Sequence, residues 1–346
     1  MRGAILSMVF MAVMVRFVSG QVLLGEGDLP TPPSNIVQES SLGEFSSEDY
    51  IKAVEALIDR FESENGKKLE PGEKGKVGLK VYTVSGPGLS TPENLVRGLI
   101  IALEKRGFVR DDIFIIGLSE HHLRLGGFMP PLSIGGDSFE EVEVKALNSG
   151  LFYDDEWFYD SPIPRDVSLI DYFASKEDDL FASNKNDRRS FLAKPLLFEV
   201  DFWINLPAYS DHPVLGINGS LVNATLWNAS NTVRFFRSPA TAPVAVAEIS
   251  AIPEFRAGWI FTIVSLERYQ YIGGPVFNSL YTVSESRLWL SDNPVILDAL
   301  MRVRIDKSRR EAGFRGLAED MKLLEYAEQL GLGEADHERV EWSKVD

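Results

Sequence analysis

The chain has no cysteine in 346 residues. That excludes disulfides, thiolate metal sites, cysteine-held iron–sulfur clusters and a cysteine nucleophile. Histidine is scarce at four, so imidazole chemistry has few places to occur. Basic residues are the minority: 35 Lys and Arg against 51 Asp and Glu give a formal charge of −16. A surplus of that sign repels nucleic acid and anionic lipid, so neither is an expected partner. Beyond the first twenty residues no apolar run is long enough to span a bilayer, so no stable membrane span is expected after processing.

The first twenty residues read as an export signal, with a short membrane anchor as the alternative. Arg2 supplies the positive start, Ala4 to Val15 the apolar segment, and Val18-Ser19-Gly20 the small residues before a cut at Gly20/Gln21. The segment carries two arginines and no acid, so its removal takes the charge from −16 to −18. A periplasmic or secreted location follows as an expectation. Residues 21–45, with Pro30, Pro32 and Pro33, read as a flexible linker. Ser46 with Asp49 three residues on forms a capping-box pattern, and a helix is expected over 46–66, ended by Gly66.

The main domain is expected over 75–336, with a C-terminal tail at 337–346. Val77 to Val84 (VGLKVYTV) reads as its first strand, with Lys80 inside it. The loop from Ser85 to Thr91 then leads through Pro92 into a helix whose apolar stripe is Leu95, Val96, Leu99, Ile100 and Leu103. Ile113 to Leu118 is a second strand. Such a β-loop-α-β unit builds a parallel sheet. The expected fold is therefore α/β, a mostly parallel sheet with helices on both faces plus the N-terminal helix, either as one body or as two lobes parted near residues 151–186.

The most informative stretch is Ile204 to Phe236, INLPAYSDHPVLGINGSLVNATLWNASNTVRFF. A buried strand, Leu196 to Leu206, stops at Pro207. A polar loop with Asp211, His212, Gly216 and Gly219 follows, and then Asn218, Asn223, Asn228 and Asn231. Open α/β sheets place their ligands where strands end in such loops. An imidazole there can act as a general base, a metal ligand or a loop cap. His212 and Asp211 are the candidate catalytic pair. Asn218 and Asn223 are candidate ligand amides, each offering donor and acceptor. Gly86, Gly88 and Thr91 resemble an anion cradle at a helix start, without a third dinucleotide-fingerprint glycine or a P-loop lysine. Gly273-Gly274-Pro275 reads as a close-approach turn beside the site. His121 and His122, adjacent on a strand end, would point opposite ways and not share an ion. Asn218, Asn223 and Asn228 also match Asn-x-Ser/Thr, a match expected by chance.

Taken together, the chain resembles the bacterial domain-of-unknown-function family 362. The pieces are Lys80 before the Gly86-Pro87-Gly88 turn, Asn205-Leu206-Pro207 with His212, and Gly216, Gly219 and Asn223. The rest are Gly273-Gly274-Pro275, Ser291-Asp292-Asn293-Pro294 with Asp298, and Gly331-Leu332-Gly333. The resemblance covers residues 77–336 and adds Lys80 to the ligand-binding set. It implies a fold and a site location, and no reaction. Where the family carries lysines, this chain has Ser210 and Val222. Two functions stay open: an exported enzyme acting on a small polar or anionic substrate around His212 and Asn223, or a non-catalytic ligand-binding or interaction protein of the bacterial envelope. The cofactor and any metal are unknown at this point, an iron–sulfur cluster excepted.

Overall fold

A computed structural model describes residues 33–163, 188–318 and 322–345. The expected export segment and residues 21–32 lie outside the described residues, as does 164–187, which holds most of the expected lobe boundary.

Five strands are parallel at the centre of a nine-stranded sheet: β2 (Val77–Val81), β3 (Ile113–Gly117), β5 (Val142–Ala146), β8 (Phe202–Leu206) and β11 (Trp259–Ser265). The edges are mixed. β4 (Ser138–Phe139) folds back on β5, and β14 (Arg287–Ser291) runs antiparallel to β11. β1 (Ile36–Ser41) and β15 (Glu341–Val345) complete the other side. The full order is β15-β1-β14-β11-β8-β2-β3-β5-β4. From β2 the chain winds outward through β3 to β5. It then returns to place β8 on the opposite side of β2 and winds outward again to β11. The direction therefore reverses between β2 and β8, and that is where an open α/β sheet leaves a crevice.

Side chains alternate across the strands, as the pleat requires. Val77, Leu79 and Val81 of β2, with Phe202, Ile204 and Leu206 of β8, enter one apolar layer. Two helices cover it, α1 (Ser47–Asn65) and α2 (Glu93–Glu104). Trp203 and Val264 face the opposite layer. There the cover is α4 (Ser220–Ala224), α5 (Ala242–Ser250), α7 (Pro294–Glu311) and α8 (Leu323–Gln329), following the short α3 (Glu120–Leu125). The α/β arrangement with helices on both faces is as the sequence indicates.

Local chemistry explains the main boundaries. Ser46 accepts the Asp49 amide while the Asp49 carboxylate takes the Ser46 amide, and Gly66 closes α1 in the left-handed region at φ 65°. Asn293 Oδ1 caps α7 by accepting the amides of Val295 and Ile296. Four boundaries differ from the sequence expectation. Ile36–Ser41, inside the expected linker, is a strand, because Val37 and Gln38 are buried between β14 and β15. The expected tail holds β15. Glu120-His121-His122 opens the helix α3 and not a strand end, and the two histidine rings lie 5.4 Å apart. The apolar run from Leu196 splits: Pro195–Glu199 forms a π-helical turn, and only Phe202–Leu206 is strand.

Because β1 fills a slot between two strands, deleting residues 1–45 should abolish cooperative thermal unfolding. A truncated chain that still melts in one sharp transition at the full-length temperature would show that β1 is dispensable.

Candidate functional site

The crevice at the reversal point is a pocket of about 120 Å³. The loop after β2 contributes Pro87, Gly88, Ser90 and Thr91, the loop after β8 Pro207 and Ala208, and the end of β11 Ser265, Glu267 and Arg268. The start of α2 adds Pro92 and Glu93, and Gly126 closes one side. Thr91 Oγ1 accepts the Tyr82 amide at 2.8 Å and donates to the Leu206 carbonyl at 2.5 Å, so it ties the ends of β2 and β8 together. Ser90 donates to the Gly86 carbonyl at 2.7 Å. Gly88 lies against the ring of Phe277, where a Cβ would fall 2.0 Å from a ring carbon. Pro92 occupies the N-cap position of α2 with no side-chain cap, so the positive end of a 12-residue helix opens at the pocket. Arg268 is exposed and spends one N–H on the Gly88 carbonyl at 2.9 Å.

A second feature runs beneath the sheet. Lys80, Asn205 and Thr262 are cross-strand neighbours on β2, β8 and β11 and share one face. They form a polar row in an otherwise apolar layer, and α4 lies across it. Lys80 Nζ donates to the Val81 carbonyl at 2.9 Å and to Asn223 Oδ1 at 3.1 Å. Asn223 Nδ2 donates to Asn205 Oδ1 at 2.8 Å. Asn205 Nδ2 donates to the Ser220 carbonyl at 2.9 Å, and the hydroxyls of Ser220 and Thr262 are 2.9 Å apart. Asp298 of α7 accepts the amides of Ser220 at 2.7 Å and Leu221 at 3.1 Å, and the hydroxyl of Tyr209 at 2.7 Å. Gly219 is required here, since a Cβ would meet the Tyr209 ring at 2.3 Å and Asp298 Oδ1 at 2.5 Å. Burial holds the Lys80 amine down at about 7 and lifts the Asp298 carboxyl to about 6.

The predicted site residues therefore fall into three places. Gly88 and Thr91 line the pocket, with Gly86 in the same loop at φ 85°. Lys80 and Asn223 belong to the buried row. His212 and Asp211 lie on β9 (Ser210–His212), which pairs with β10 (Gly216–Asn218) in a small second sheet. His212 is buried, and its Nδ1 accepts the amides of Val214 and Leu215, both at 3.2 Å. That leaves the ring proton on Nε2 of the neutral imidazole. Burial lowers its pKa to about 4. Asp211 receives the amides of Gly273 at 3.3 Å and Gly274 at 2.7 Å, and pairs with Arg309 at 2.8 Å. Asn218 accepts Trp227 Nε1 at 2.6 Å and donates to the Ala208 carbonyl at 3.3 Å. Among the described residues no cluster of three or more His, Asp or Glu could hold a metal ion. No described helix is long and apolar enough to cross a membrane. Asn218, Asn223 and Asn228 are all buried, which leaves no room for a glycan.

Residues absent from the sequence expectation are Arg268, Ser265 and Glu267 in the pocket, and Tyr209, Ser220 and Thr262 in the row. Thr262 had a visible signal, as a polar residue inside Trp259–Ser265. Arg268 had none, because nothing local distinguishes it from any exposed arginine.

Two outcomes follow. Gly88→Ala should destabilise the fold by about 1–3 kcal/mol through overpacking against Phe277, and Phe277→Ala should recover part of that loss in the double variant. Equal losses with and without the Phe277 ring would refute the contact. For His212, a folded pKa below the unfolded value means that the unfolded state binds more protons as pH falls, so stability drops with acid. Between pH 7 and 5 the wild type should lose about 2 kcal/mol more than His212→Asn, which keeps an acceptor for the two amides. Urea unfolding at both pH values measures the difference, and parallel losses would acquit the imidazole.

No protein-family model matches the chain, and no curated protein does. Among solved structures the chain is similar to a crystal structure of a Thermotoga maritima protein, with 11% identity and a TM-score of 0.38. The match covers 82% of this chain and 59% of that one.

Proposed function

We propose that the chain is an exported, non-catalytic binding protein, a cysteine-free relative of domain-of-unknown-function family 362, whose pocket between β2 and β8 takes a small polar or anionic molecule. The observation that carries this is the position of the pocket at the point where the winding of the sheet reverses. Its lining matches the ligand class. Arg268 and the open start of α2 supply positive potential, and Glu93 and Glu267 supply acceptors. A molecule with an acidic group beside an amine or hydroxyls meets both. At about 120 Å³ the pocket is below the range of drug-sized sites, so the ligand is small.

Binding is favoured over turnover by the state of the candidate catalytic groups. His212 is neutral near pH 7 with Nδ1 taken by two amides, and Asp211 is occupied by two amides and Arg309. Where relatives carry lysines, Ser210 and Val222 are fully buried. Export is supported by Arg2 and the apolar Ala4–Val15 segment.

Thermal-shift measurements against a panel of small carboxylates, phosphates and amino acids test the proposal. At least one class should raise the wild-type melting temperature, and Arg268→Ala should cancel the rise. A ligand found chemically altered by NMR after incubation would replace binding with catalysis. Equal shifts in wild type and Arg268→Ala would remove the pocket from consideration.

A further inference from the structure

A lysine and an aspartate, both fully buried, end a chain of hydrogen bonds that crosses the sheet. Lys80 is 1% exposed and Asp298 0%, and Asn223, Asn205 and Ser220 lie between them at 0%. The two charged types do not pair with each other. Among the described residues, Lys80 meets a carbonyl and an amide oxygen, and Asp298 meets two amides and a phenol. Both act on one element. Lys80 reaches the last turn of α4 through Asn223, and Asp298 holds its first turn through the amides of Ser220 and Leu221.

We propose that Lys80 and Asp298 form a pH-responsive clamp that fastens α4 to the sheet and is weakest when both of its ends are charged. The clamp is independent of whether the β2–β8 pocket binds a ligand.

The electrostatics give the clamp two opposite limbs. Among the described residues, an ammonium at Lys80 has three donors and two acceptors in reach, and no anion to offset its charge. Opening α4 to water would therefore favour the charged amine. Below the folded value of about 7 that penalty is complete, and it fades as pH rises toward the ordinary lysine range near ~10.4. Asp298 behaves in the reverse sense. Its buried carboxylate is penalised above about 6, and the penalty fades as pH falls toward the ordinary aspartate value near ~3.9. The two penalties coincide between about 6 and 7, so α4 is held least firmly there. Most folds show the opposite, a broad optimum in that region.

The surroundings add few competing groups. β3, β8 and α4 carry no other ionisable side chain, while on the face of Lys80 the phenol of Tyr82 is pushed up by burial and Lys145 of β5 pairs with Glu143. Facing Asp298 are Tyr209, whose phenol burial pushes well up, and from β9 His212 and Asp211, the latter on Arg309. α8, which packs on α7, contributes Glu325 and Glu328, and α5 contributes Glu248, bonded to Tyr159. All of these are retained in the variants below and cancel in the comparison.

Hydrogen exchange of the α4 amides, corrected for the intrinsic pH dependence of exchange, reads the clamp directly. Protection in wild type should pass through a minimum near pH 6.5 and rise more than tenfold by pH 9. Lys80→Met should flatten the alkaline rise and leave the acid limb. Asp298→Asn should flatten the acid limb and leave the alkaline one. Wild-type protection that is flat from pH 6.5 to 9, or a rise that survives in Lys80→Met, would overturn the proposal. If either variant fails to fold, a titration of wild-type protein labelled with ¹⁵N-lysine decides. A Lys80 Nζ that titrates near neutrality supports the clamp, and one that titrates near ~10.4 rejects it.

Discussion

Polar groups taken out of water have to find partners, and in this protein that demand is concentrated between the sheet and α4. Lys80, Asn205 and Thr262 stand side by side on three adjacent strands, on a face that is otherwise apolar. Only an element with complementary polar atoms can cover them. α4 supplies Ser220 and Asn223 at the required places, and Asp298 satisfies the amides that its short helix leaves open. The rest follows from that fit. α7 must approach closely enough to deliver Asp298, Gly219 must lack a side chain for it to do so, and Tyr209 completes the carboxylate's partners. The row also fixes the register of β8 between β2 and β11, because a one-residue slip would turn Asn205 toward α1 and α2 and Trp203 with it.

The pocket and the row share the same two strands. Tyr82 and Leu206, two positions and one position beyond Lys80 and Asn205, are the groups that Thr91 ties together at the pocket floor. The pocket is therefore built on the same two strands that carry the buried polar row. The small sheet bearing His212 and Asp211 stands beside it and is held by its own interactions, the Arg309 pair and the two glycine amides.

Much of the architecture was legible in the residues because it depends on local patterns. The capping box at Ser46 and Asp49, the alternation in Val77–Val81 and the helical stripe from Leu95 to Leu103 each lie within one segment. The strand at Ile36–Ser41 was hidden because its neighbouring prolines dominate the composition, while its partners β14 and β15 lie some 250 and 300 residues away. The strand does end at Leu206, as its pattern indicates, but the residues of the candidate loop after it disperse. Asn218 bonds Trp227, Asn223 bonds Lys80, and His212 turns back on its own loop. Which of three directions a polar side chain takes is decided by strand register and helix placement, and a single sequence does not encode these legibly. A polar residue at the middle of an apolar strand was the usable signal, present at Lys80, Asn205 and Thr262, and its meaning needed the register to join the three.

The three buried asparagines at 218, 223 and 228 carry a practical consequence for making this protein. A eukaryotic secretory pathway attaches glycans to Asn-x-Ser/Thr on the emerging chain, before any side chain is shielded. A sugar on Asn223 would occupy the place of Lys80 Nζ and Asn205 Oδ1, and one on Asn218 the place of the Trp227 indole. Such a chain has no route to close α4 onto the sheet. Passage through the secretory pathway of a glycosylating host thus becomes a folding block, whereas a host without that machinery leaves the same residues free to form the core.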